Sequence, residues 1–516
     1  MLDFAWPRAK QRKSVTVVGA GLGGLTAAAY LAKAGADVTV VEQHHKPGGY
    51  ASSFVRGEGR FTFDVSLHQT AAMSGASRRV IEELCLDASL EQILPPTLGR
   101  ILTSELDITL PQADPEAFVD ALSISFPKER DGIAGFVKEM IRTAEETAAL
   151  PDRFRLRDYF LFPKKQKTLW SIRNETLKDA LLRHVESAEA QSVLSFLWGY
   201  YGLPPSKLSA FYYFVATGQY IKDGGYCFRP NSSALSNALV EKIEAHGGRV
   251  VLGKRVEAIL VKRRRVSEIL LSDGQTILSD GVISNASGPD TFTRLLGIKT
   301  LPKRYRKRAD SYRPSLSTFV VWLGLNREVH NEIQEYGIFI AGPDAHDLDA
   351  AYHACLAADA DRVPYIVTVF NNAFSDYSSP GTSVVSLTFL CGYEPFKPFE
   401  TDYFAGNKNR YRNEKERLAR ILIERTEALL IPELSRMIEV MEVGTPLTNI
   451  RYTGNSKGAV YGYEQSMRNS FMNRIKNKTP IKGFYLAGAW GEPGGGFTGA
   501  MGSGRSTALS ILRKWR

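Results

Sequence analysis

Cysteine is scarce in this chain. Its 4 copies in 516 residues (Cys85, Cys227, Cys355, Cys391) lie far apart, with no C-x-x-C or metal-ligand spacing. A disulfide framework or a zinc ribbon is thereby excluded, and isolated thiols fit a reducing, cytoplasmic setting. Histidine is sparse too, at 8, and only His44 and His45 adjoin, in a polar loop, so no metal site is expected. No run of about 18 apolar residues is present, which argues against a membrane-spanning helix. Residues 1–13 hold no apolar stretch of signal-peptide length. Core-forming residues are not lacking: 44% hydrophobic and 23% charged are ordinary globular proportions. The length suits two or three structural units.

The net charge of +10 is unevenly spread. Residues 1–13 carry +3, 153–173 carry +6, 262–265 carry +4 and 303–308 carry +5, which leaves the remainder acidic. Local patches of this kind suit an anionic surface better than the even basic coat of a nucleic-acid binder. Within 153–173, seven basic residues interleave with Phe154, Tyr159, Phe160, Phe162 and Trp170 around Pro163. Such a mixture suits a membrane interface and also single-stranded nucleic acid.

Glycine is what the chain has in pattern. Val15-Thr16-Val17-Val18 reads as a buried parallel strand. It runs into Gly19-Ala20-Gly21-Leu22-Gly23-Gly24, with G-x-G-x-x-G spacing at 19, 21 and 24. A helical pattern follows to a stop at Gly35, and a second strand, Asp37 to Val41, ends on Glu42. Gly19 permits the tight turn, Gly21 lets backbone approach a pyrophosphate, and Gly24 lets helix and strand pack closely. The helix start offers free N–H groups to phosphates, and Glu42 is placed for ribose hydroxyls. An acid at 42 disfavours a 2′-phosphate and leaves NAD or FAD. Pro47-Gly48-Gly49 follows, and this is similar to the extended fingerprint of glutathione-reductase-type flavoproteins, which implies FAD.

A second glycine cluster closes the chain. Gly483 to Gly488 reads as a short strand, followed by a loop through Gly494, Gly495, Gly496, Phe497 and Gly499 and a helix to about Leu512. With 17 residues beyond Gly499, a second ribose-binding strand is not expected. The better reading is a helix start aimed at the flavin, where it would stabilise developing negative charge.

On these motifs the chain resembles the flavin-dependent phytoene desaturase, carotenoid isomerase and retinol saturase superfamily, distant relatives of amine oxidases. The likeness spans about 14–512. Phe63-Asp64-Val65-Ser66-Leu67-His68 looks like the F-D-x-G-x-H element of the saturase branch, with Ser66 in place of glycine. Gly444-Thr445-Pro446-Leu447-Thr448 and Gly458-Ala459-Val460-Tyr461-Gly462 are similar to the TP-x-T … G-x-x-Y-G segment. Asp376 to Gly381 resembles the D-P-S-x-A-P-x-G loop, and Gly247 to Ile259 the second FAD-domain stretch. One departure stands out: Pro230-Asn231-Ser232-Ser233 occupies the place of the family's P-x-G-G.

The resemblance implies an α/β fold: a glutathione-reductase-type Rossmann FAD domain in three pieces (14–75, 225–300, 435–516) with an inserted mixed α+β substrate domain (76–224, 301–434). The residues themselves predict strands over 316–325 and 384–390, helices over 175–197 and 412–431, and a small antiparallel sheet over 248–287. The implied activity is FAD-dependent oxidoreduction at C=C or C–C bonds of a conjugated isoprenoid or polyene lipid, by desaturation, saturation or cis–trans isomerisation. Cofactor contacts are expected from Gly19, Gly21, Gly23, Gly24, Glu42, Gly48, Gly49, Val256, Gly488, Gly495, Gly496, Phe497 and Gly499. His68 is the first candidate proton donor, followed by Glu492 and Tyr461; Tyr212, Tyr213 and Phe214 are candidate wall residues, with core packing the better reading of each. Peripheral membrane attachment through 153–173 is expected, and no nucleic acid. Two alternatives remain open here: an amine-oxidase-like enzyme on a polar small molecule, and a non-catalytic prenyl-binding protein like Rab GDP-dissociation inhibitors. The external electron acceptor or donor is also open.

Overall fold

The computed structural model describes residues 13–66, 68–152, 154–470 and 473–515. The basic stretch 1–12, together with Leu67 and Arg153, lies outside them. The first βαβ unit forms as its pattern requires: β1 (Ser14–Val18), α1 (Leu22–Lys33) and β2 (Asp37–Val41). β1 and β2 pair in parallel with Val15 opposite Val38 and Val17 opposite Val40. Three distant segments, β3 (Arg249–Val251), β4 (Gly281–Ser284) and β5 (Phe484–Leu486), complete a parallel sheet in the order β5-β4-β1-β2-β3.

Side-chain alternation divides this sheet between two cores. Val15, Val17, Val38, Val40, Ile283 and Tyr485 pack under α1 and α2 (Phe497–Trp515). Val282, Phe484 and Leu486 face a three-stranded antiparallel sheet made by Val256–Lys262, Arg265–Leu271 and Thr276–Leu278. The sheet expected over 248–287 is thus divided. Its two ends join the parallel sheet, because Gly281–Ser284 is buried along its whole length and suits a strand covered on both faces.

The second layer is a seven-stranded mixed sheet with helices packed beside it. Its strands run in the order Ile438–Gly444, Ser317–Leu325, Ser383–Cys391, Tyr365–Val369, Gly337–Ile340, Gly99–Leu102, Asp107–Leu110. The two strands expected here form, and pair antiparallel with Val321 opposite Leu387. Strand Ile438–Gly444 lies at this sheet's edge, so the mixed sheet draws one strand from the piece 435–516. The helix expected over 412–431 spans Asn409–Leu429. That expected over 175–197 does not form as one: Leu177–Leu182 and Ala188–Leu194 are separate, because Thr176 and Ser187 each cap a new start.

Candidate active site

The two layers enclose a cavity of about 1520 Å³. That exceeds the roughly 300–1,000 Å³ typical of a single drug-sized ligand. One end is built by the glycine turn. Gly19, Gly21, Gly23, Glu42, Gly48, Gly49 and Val256 all line it. The start of α1 has no side-chain cap and no acid in its first turn, so its N–H groups stay available to a phosphate. Glu42 is 9% exposed, and its oxygens accept N–H bonds from Ala20 (2.7 Å) and His44 (2.8 Å). Each oxygen keeps a further lone pair for a ribose hydroxyl. Burial pushes the Glu42 carboxyl above its usual range, against the pull of these N–H donors. The uncapped helix, the carboxylate and the volume of the cavity fit an adenine dinucleotide such as FAD.

At the other end Gly495, Gly496, Phe497, Thr498 and Gly499 reach the cavity at the start of α2. Tyr461 packs so closely on Gly495 that a Cβ there would fall 2.7 Å from its Cα. Tyr212 donates its hydroxyl to the Gly495 carbonyl at 2.9 Å. Beyond lies a chamber walled by Ile101, Phe196, Phe339, Ile340, Leu348 and Leu390. His68 stands at its edge, stacked on Tyr336 at 5.0 Å, with its Nδ1 hydrogen-bonded to the Tyr200 hydroxyl. Nε2 is buried with no hydrogen-bond partner among the described residues and lies over Gly337, where a Cβ would fall 2.2 Å away. Burial pulls the His68 pKa down to about 3 and pushes Tyr200 well above 10. Both are therefore neutral at physiological pH.

A family model for flavin-containing amine oxidoreductases matches residues 22–512. The chain belongs to that family. It is an FAD-dependent oxidoreductase. Among its relatives, all-trans-retinol 13,14-reductase of Homo sapiens is 25% identical, over 94% of this chain and 83% of that one. Prolycopene isomerase of Arabidopsis thaliana is also 25% identical, over 96% and 83%. A solved double mutant of putrescine oxidase shares the fold with TM-score 0.66 at 15% identity, covering 97% and 99%. The non-catalytic prenyl-binding alternative is set aside by membership of a flavoenzyme family.

Several expected site residues of this oxidoreductase fall elsewhere. Gly24 and Gly488 do not reach the cavity. A Cβ on Gly24 would meet the Gly19 carbonyl at 2.3 Å, whereas Gly488 leaves room for Gly23, whose Cβ would come within 2.4 Å of it. They are packing glycines behind the loop. Tyr213 and Phe214 are wholly buried; Tyr213 donates to the Leu194 carbonyl at 2.7 Å and Phe214 packs on Phe136. Helical rotation turns only Tyr212 of the three toward the cavity. Glu492 lines the cavity but is ion-paired with Lys476.

The sequence reading missed Tyr200 and Asn285. Asn285 follows β4 and lies over the glycine loop, where a Cβ on Gly21 would fall 2.6 Å from its Nδ2. Neither has a local pattern to announce it. The departure at 230–233 also has its explanation here. Asp64 accepts from Ser232 N at 2.9 Å, from the Ser232 hydroxyl, and from the Tyr377 hydroxyl at 3.2 Å. Asn231 accepts from Ser53 Oγ and Ser233 N, both at 3.1 Å. Side chains thus fasten a turn where the family resemblance implies glycines. Burial raises Asp64 to about 6.

Proposed function

We propose that this oxidoreductase acts on C=C or C–C bonds of a conjugated isoprenoid or polyene lipid. The carrying observation is the apolar stretch of the cavity wall, where Ile101, Phe196, Phe339, Ile340, Leu348 and Leu390 offer surface and shape. A neutral polyene is recognised that way, whereas a polar amine needs a placed polar or ionic partner. The names of the retinol reductase and prolycopene isomerase relatives agree with it. FAD, when bound, supplies two-electron chemistry at its ring system.

The chain's own residues bind, exclude water and hold a proton. Tyr200 carries that proton at the chamber wall, with His68 as its positioning residue. An orphaned buried N–H is rarer than an orphaned acceptor, so the imidazole proton sits on Nδ1 and is donated to the Tyr200 oxygen. The phenol hydrogen is then free to face the chamber, and the imidazole N–H stabilises the oxygen as its proton leaves. Anaerobic incubation of oxidised and reduced enzyme with a carotene and retinoid panel tests the reading. A gain of two mass units marks saturation, a loss desaturation, and unchanged mass with altered retention isomerisation. No change in any of them, with an amine oxidised instead, rejects it.

Residues 154–173 supply a membrane-facing surface. Helix Leu156–Lys165 leaves Leu156 75%, Tyr159 58% and Phe160 77% exposed, while Phe162 anchors it inward. Lys164, Lys165 and Lys167 stand at its end, and Leu150, Pro151 and Phe154 before it line the cavity. Exposed apolar groups rimmed by cations suit an anionic bilayer. No helix among the described residues is long and apolar enough to cross a membrane. With about 1 kcal/mol per basic residue at an anionic surface, K164Q/K165Q/K167Q should weaken flotation with phosphatidylserine vesicles about 100-fold. Undiminished flotation would reject the docking role.

A further inference from the structure

The same cavity has a second wall of opposite character. Lys408, Arg412 and Lys415, at the start of helix Asn409–Leu429, and Arg451, on helix Pro446–Thr453, line it with Tyr403 and Tyr411. None of these four cations forms an ion pair among the described residues. Glu442 on the same wall is taken by Arg56 at 2.5 Å, and Glu414 on the helix by Arg417 at 2.8 Å. Among the described residues the hydrogen-bond partner of Lys415 Nζ is the Val443 carbonyl, at 3.4 Å.

The cations repel one another and are held in place by aromatic faces. Lys408 Nζ lies 4.6 Å from the centre of the Tyr403 ring and Lys415 Nζ 5.7 Å from that of Tyr411. The two rings meet edge to face at 4.8 Å. Partial burial, then Arg451 and Arg412, pull the Lys408 ammonium below its usual pKa. Lys408 also precedes a 21-residue helix with no acid in its first turn. A cation there adds to the positive end of the helix dipole, where an anion is favoured. Like charge gathered on one aromatic-lined wall, with Lys408 and Lys415 half-buried and Arg412 and Arg451 exposed, attracts a ligand of opposite charge.

We propose that this wall is a phosphate-binding subsite, which takes the phosphoryl end of a ligand whose remainder enters the cavity. A diphosphate has the charge to engage several of the four cations at once, and Arg412 and Arg451 have the forked donors for it. Two sources carry that chemistry: a prenyl diphosphate, or the phosphates of a nicotinamide dinucleotide phosphate. The inference does not rest on the isoprenoid reading, since phosphate affinity and polyene turnover are measured separately.

Titration calorimetry of the holoenzyme with inorganic pyrophosphate, at low and high salt, tests it. Binding is expected to weaken with salt and to fall at least about tenfold in K408Q/R412Q and in Arg451→Gln, with the flavin spectrum unchanged. A prenyl diphosphate that binds more tightly than both pyrophosphate and the parent prenol, an advantage lost in the variant, assigns the lipid source. NADPH binding more tightly than NADH, with the difference lost in the variant, assigns the dinucleotide. Pyrophosphate that does not bind, or binds equally to wild type and variants, overturns the subsite.

Discussion

Glu42→Ala is expected to purify as a folded, colourless protein. The side chain removed accepts from Ala20 and His44 and is the acid expected to meet the ribose of FAD. A hydrogen bond to a charged group contributes about 1.5–3 kcal/mol, so two ribose contacts amount to roughly 3 kcal/mol, about 100-fold in affinity. Glu42→Gln is expected to fall in the same direction, because an amide has one acceptor oxygen where two backbone N–H groups converge. Flavin-to-protein absorbance after reconstitution with graded FAD measures the loss, and circular dichroism of the apoprotein monitors the fold. Stoichiometric yellow protein from Glu42→Ala would remove the carboxylate from the cofactor site.

Tyr200→Phe is expected to lower turnover about 100-fold, at the low end of the 10²–10⁴ contributed by a positioned acid or base. The ring and its contact with Phe339 are kept, so flavin content and substrate KM should hold. His68→Gln should cost less, about tenfold, because its amide can still donate to the phenol oxygen. The pH dependence is equally specific. With His68 pulled to about 3 and Tyr200 pushed well above 10, neither changes charge between pH 5 and 9. Stopped-flow rates for the wild type should therefore be flat there as far as this pair decides them. An acid limb near pH 6.5 that disappears in His68→Gln would show a titrating imidazole and overturn the neutral pair.

How far the site was legible depends on how local its signals are. The turn at 19–24, Glu42 and the strands beside them were readable because one βαβ unit places them within 30 residues of each other. Phe497 and Gly499 were readable for a similar reason, since glycines before a helix mark an open N-terminus. Gly24 has the helix–strand packing role its place in the motif implies but not the expected cofactor contact, and Gly488 also packs behind the loop, because a glycine that accommodates a ligand and one that accommodates a backbone look alike in sequence. Tyr213 and Phe214 are core residues and only Tyr212 is a wall residue, because adjacent helical residues point about 100° apart and the sequence does not say which arc faces a cavity. The one long helix expected over 175–197 was divided by two caps, Thr176 and Ser187, whose hydroxyls accept from the backbone.

By itself the sequence determined the dinucleotide end: the parallel strands, the phosphate-ready helix and the acid that follows them. Those depend on short-range backbone geometry, and their residue types have few other uses in that order. Only the tertiary structure decided the chemistry-bearing end. Tyr200 meets His68 across 132 residues, Asp64 meets Ser232 across 168, and Lys415 and Arg451 reach one cavity wall from separate helices. Such juxtapositions arise from how two layers pack, and packing is a property of surfaces that no run of neighbouring residues encodes.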